Sequence, residues 1–162
     1  MKCFVLAILL VFISIDCHSQ EGNIISESNQ KYVKALGFIL ESEEYQSFHV
    51  NNKNYVVSEE ILFFEELGMW FDMSLSISLI NQPSVFETDE ELLSLNKRKR
   101  GKVNIFFSQE KDDTFFAEIF YTIKSRVYKY SERPSFGSSY IYVFSNEKGE
   151  VKLLQVEQIH YN

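Results

Sequence analysis

Between residues 103 and 161 the chain is written largely in steps of two, and that period demands a sheet. Val103, Ile105 and Phe107 alternate with their neighbours. Phe115, Ala117, Ile119, Tyr121 and Ile123 do the same, with Phe116 and Phe120 on the reverse face. Successive side chains of a strand point to opposite faces, so each run has one side fit for a core. The polar stretch Ser108–Asp113 separates the first two runs as a turn. Tyr140–Phe144 is a third strand, and Glu150–Tyr161 a fourth. Asn146-Glu147-Lys148-Gly149 joins them as a hairpin turn, with glycine at a position that needs positive φ. The inward face of the last run shifts between Leu153 and Leu154, which predicts a bulge.

Before residue 103 the pattern is mixed. Tyr32, Val33, Leu36, Ile39 and Leu40 fall on one face of a helix over 29–43, with Ser28 or Asn29 as its cap. Tyr45–Val50, an Asn-rich turn and Tyr55-Val56-Val57 read as a short extended or hairpin segment. Ser58-Glu59-Glu60 reads as the start of a short helix ending at Leu67-Gly68. Met73–Leu79 alternates as a strand. Thr88-Asp89-Glu90-Glu91 is a capping box for a helix closed by Lys97–Arg100 and Gly101. The expected architecture is α+β: an N-terminal helix and short helices packed on an antiparallel, curved β-meander. Its shape is similar to cystatin-like folds, a likeness that implies nothing about function.

The first residues carry a different signal. Met1-Lys2 precedes an apolar run from Cys3 to Ile13, too short for a membrane span and followed by Asp16-Cys17-His18-Ser19-Gln20. Residues 1–19 are therefore expected to be a signal peptide cleaved before Gln20, leaving 20–162 as a single soluble domain, exported to the periplasm or cell exterior. Lipid attachment at Cys17 is the alternative, and Asp16 fits it poorly because processing there favours a small residue. Both cysteines lie inside this segment, so residues 20–162 must fold without disulfides. No membrane span is expected in them.

The net charge of −7 hides an asymmetry. Residues 41–91 carry twelve acids and one base, while 92–133 carry ten bases and five acids. Such a division reads either as two solvated faces or as a basic surface for an anionic partner. An acidic chain argues against nucleic acid as that partner.

No catalytic residue, metal ligand or cofactor site stands out. His49 and His160 are the only histidines beyond the signal, too few for a histidine-built zinc site. The nucleophile elbow and phosphate loop are absent. Acid pairs such as Glu59-Glu60 and Glu65-Glu66 read as solvated or helix-start carboxylates. The connection over 124–139 is long for a compact domain and mixes cations with aromatics. Arg126, Tyr128, Lys129, Tyr130 and Arg133 are its candidate ligand-binding residues. Lys97, Arg98, Lys99 and Arg100 extend the same surface if the two segments meet in space.

The Ser19-Gln20 signal end, the Asn/Lys/Ile/Phe-rich usage and the closing Ile159-His160-Tyr161-Asn162 together resemble small exported proteins of Bacteroidota. That resemblance carries no functional residues. The leading expectation is a non-enzymatic binding or interaction domain for an anionic, glycan or protein partner. The alternative is a small enzyme or ligand carrier with a pocket between helix and curved sheet.

Overall fold

A computed structural model describes residues 27–51, 53–72, 75, 87–88, 90–95, 99–133 and 135–161. The expected export signal, the strand expected over 73–79 apart from Leu75, and Lys97 and Arg98 lie outside these residues.

The elements in chain order are α1 (Glu27–Glu41), α2 (Glu43–Ser47), β1 (Tyr55–Leu62), α3 (Phe64–Gly68), β2 (Glu87–Thr88) and α4 (Glu90–Leu95). They continue with β3 (Val103–Ser108), β4 (Thr114–Tyr121), a 3-10 turn at Tyr130–Glu132, β5 (Gly137–Glu147) and β6 (Glu150–Tyr161). The strands form one sheet in the order β2-β1-β3-β4-β5-β6. The fold is mixed α+β.

β3 to β6 form the expected antiparallel meander. The expectation of a wholly antiparallel sheet is corrected by β1, which runs parallel to β3. Parallel neighbours need a long crossover, and residues 63–102, which include α3 and α4, supply it. The β5–β6 hairpin turns on Lys148 and Gly149, both at positive φ (53° and 80°), as a two-residue turn requires when its twist matches the strands. The bulge falls where the alternation shifts: Val143 pairs with Gln155 and Phe144 with Leu153, leaving Leu154 as the extra residue.

Each face of the sheet has its own core. On one face α1 lays Tyr32, Ala35, Leu36 and Ile39 against Val57, Ile105, Phe107, Phe115, Tyr142 and Phe144. Fully burying a side chain such as Ile39 contributes about 1.5–3 kcal/mol. Val33, expected on this face, is instead half exposed at 51%. The opposite face carries Leu62, Phe106, Phe116, Phe120 and Ile141, covered by Leu67 of α3 and by Tyr130.

Two local expectations are revised. Tyr45–Val50 is not extended: Glu43–Ser47 is helical, because Ser42 caps the turn by accepting a hydrogen bond from the Tyr45 amide (3.2 Å). The Tyr45 ring is wholly buried, and the Ser42 and Tyr142 hydroxyls meet at 2.6 Å, tying this elbow to the sheet. The helix expected from Ser58 to Leu67-Gly68 begins later: β1 continues to Leu62, and Phe64–Gly68 is helical as α3, which ends at Gly68 as expected. The Ser58 hydroxyl accepts from the Glu60 amide at 3.1 Å, within a register irregularity. Ile61 and Leu62 then enter opposite cores.

The helix after the expected capping box is present as α4, but Thr88 itself pairs with Glu60 in β2. α4 ends at Leu95, well short of Gly101. Gly101 packs on the Tyr55 backbone, where a Cβ would lie 2.4 Å from the carbonyl carbon. Glycine stands there because of that close approach. Among the described residues, no helix is long and apolar enough to cross a membrane.

Candidate functional site

The two basic segments meet. Thr122, just past β4, donates its amide hydrogen to the carbonyl of Lys102 (2.7 Å). Its hydroxyl lies 3.1 Å from the Lys102 carbonyl and 3.0 Å from that of Lys124. Asn104 of β3 accepts a hydrogen bond from the Tyr128 amide through its side-chain carbonyl (3.2 Å). Residues 99–102 and 122–128 are thereby held at one end of the sheet. Lys99, Arg100, Lys124 and Arg126 are exposed there, and Lys129, where the connection leaves this end, is exposed too. Lys102 lies over the Tyr121 ring, 5.9 Å from its centre.

From that end the connection crosses the second face of the sheet as a strap. The Tyr130 amide donates to the Glu60 carboxylate at 2.8 Å. The Tyr130 ring is 1% exposed and meets Phe106 edge-on. Tyr130, expected among the ligand-binding residues, is therefore a core residue that supports the strap. Arg126 stacks on Tyr128 at 4.1 Å and pairs with Glu132 at 3.4 Å. Arg133 stacks on Tyr130 at 4.0 Å and lies 5.5 Å from the centre of the Tyr161 ring.

Polar residues that the sequence does not single out, Glu118, Ser139 and Tyr161, meet close to the strap. Glu118, in the middle of β4, is wholly buried, and one of its carboxylate oxygens accepts a hydrogen bond from the Tyr161 hydroxyl. Its other oxygen, Oε2, has no hydrogen-bond partner. The Ser139 hydroxyl lies 3.0 Å from the same phenol oxygen. Burial, reinforced by the Glu118 carboxylate, pushes the Tyr161 phenol well above its ordinary range. The same two causes act on Tyr130. Burial also raises Glu66, against the lowering pull of Arg133. The signal for Glu118 was present in the sequence: an acid between Phe116 and Phe120 sits on an apolar strand face.

A cleft of about 50 Å³ opens at the same end of the sheet. Phe120, Tyr121, Arg133, Phe136, Ser138 and Tyr161 line it. Phe136 is 76% exposed, and Trp70 meets the Tyr161 ring edge-on at 5.7 Å. The arrangement offers positive charge around a small aromatic recess. No protein-family profile, curated protein or solved structure matches this chain.

Proposed function

We propose that this protein is an exported, non-enzymatic binding domain whose basic sheet end takes an anionic partner. The observation that carries the reading is the Thr122 junction, which joins Lys102 and Lys124 through one side chain. Two basic segments twenty residues apart become one surface by that contact. Positive charge gathered on one end of an otherwise acidic chain attracts an anion and orients its approach. Lys99, Arg100, Lys102, Lys124, Arg126 and Lys129 form the proposed surface. The export part of the proposal rests on residues 1–19.

The alternative of an enzyme or carrier placed its pocket between helix and sheet. Tyr32, Ile39, Phe107, Phe115 and Phe144 fill that interface, so it lends the alternative no support. The test is retention of the protein on an immobilised polyanion, eluted by salt. Reversing Lys99, Arg100 and Lys102 to Glu should lower the elution salt. Reversing Lys124, Arg126 and Lys129 should do the same. Unchanged retention in both variants would end the proposal.

A further inference from the structure

Arg133 is held in an unusual state for a half-buried cation. Its planar face is occupied by the Tyr130 ring at 4.0 Å. Among the described residues its ion pair, from Nη1 to Glu66 Oε1, is long at 3.6 Å. Its side chain is 23% exposed and lines the cleft. A guanidinium fixed by stacking, with one edge nitrogen engaged by Glu66 at a long distance, keeps further donors for a planar two-oxygen acceptor. The space beside it is small, about 50 Å³, and opens to solvent, so the guanidinium edge can be reached from outside.

The cleft mouth supplies what a ring would need. Phe136 projects into solvent, Tyr161 forms a wall, and Tyr121 connects the recess to Lys102. Aromatic faces pack against the apolar C–H faces of rings, and the basic surface beyond would follow further negative groups along a chain. We propose that the cleft receives the carboxylate of an acidic sugar in an anionic polysaccharide. Arg133 takes the carboxylate, Phe136 and Tyr161 flank the sugar ring, and the chain continues along Lys102 and Lys124. This rests on the anion-binding reading above and adds a ligand class and a subsite to it.

Trp70 is the only tryptophan in the sequence, and its contact with Tyr161 makes its fluorescence a reporter of the cleft. The probes are a galacturonate trimer, a neutral galactose trimer and polyglutamate, each titrated into the full chain. The galacturonate trimer should change the Trp70 emission, and the neutral trimer should not. Phe136→Ala removes an exposed ring, and Arg133→Lys keeps charge but loses the fork. Each should weaken galacturonate binding about tenfold or more, while polyglutamate binding falls less than about threefold. Galacturonate binding that survives both substitutions, yet fails when the basic surface is reversed, would overturn the cleft subsite and leave anion binding standing. Failure of the unaltered protein to bind either acidic probe would overturn both. Equal binding of the neutral trimer would overturn the role of the carboxylate.

Discussion

The hydroxyl of Tyr161, near the end of β6, donates a hydrogen bond to the buried carboxylate of Glu118 in the middle of β4. The contact crosses β5 and fixes the closing residues of the hairpin over the second core. Removing it leaves a buried carboxylate short of its donor. Tyr161→Phe should therefore destabilise the protein by about 1–3 kcal/mol in urea unfolding. Glu118→Gln retains an acceptor and removes the buried charge, and should cost less than Tyr161→Phe. The reverse order would show that this hydrogen bond does not hold the strand end.

Alkaline pH should weaken the fold. Burial raises the phenols of Tyr130, Tyr142 and Tyr161 above their ordinary value of 10.0. Above pH 10.0 the unfolded chain releases phenol protons that the native state keeps, so stability falls as pH rises. The contribution is complete below that pH and disappears through the raised native values. Urea midpoints between about pH 9 and about pH 11.5 should decline, and more gently in Tyr161→Phe. A flat profile would contradict the burial of these hydroxyls.

Gly101→Ala should destabilise by about 1–3 kcal/mol, because a Cβ would strike the Tyr55 backbone at 2.4 Å. The same change should weaken polyanion binding, since Gly101 lies between Arg100 and Lys102. Gly37→Ala serves as the control: its Cβ would meet nothing within 4 Å. Alanine there should instead raise stability by up to about 1 kcal/mol.

Leu154 is the extra residue of the β6 bulge and is 59% exposed. Leu154→Lys should change stability by no more than about 0.5 kcal/mol, as surface substitutions usually do. Val151, three residues earlier in the same strand, is 6% exposed and joins the α1 core. Val151→Lys should be markedly destabilising, because it moves an ammonium group into apolar surroundings. Thermal unfolding of the pair checks the register.

The meander was legible because its alternation is long and its turns carry strong local chemistry. Lys148-Gly149 and the shift at Leu153/Leu154 sit where the pattern puts them. The parallel pairing of β1 with β3 was not legible, since strand direction depends on a crossover and not on period. Tyr45 and Ser58 misled for a related reason: tertiary partners, Tyr142 for the Ser42 elbow and β3 for β1, override local preference. At the candidate site the cationic residues were readable, but their sorting was not. Tyr130 and Arg126 look alike as members of a basic-aromatic run, yet one is buried and the other exposed. Glu118 and Tyr161 are 43 residues apart, and only the sheet brings them together.

The most direct test of the joined basic surface is a salt series of polyglutamate binding to the unaltered protein, to each half-reversed variant and to the combined variant. Both halves should contribute to one site. Affinity should fall as salt rises, each half reversal should flatten that dependence, and the combined variant should lose less than the two separate losses added together. Salt-independent binding, or fully additive losses with unchanged salt dependence, would contradict a single anion-binding surface at this end of the sheet.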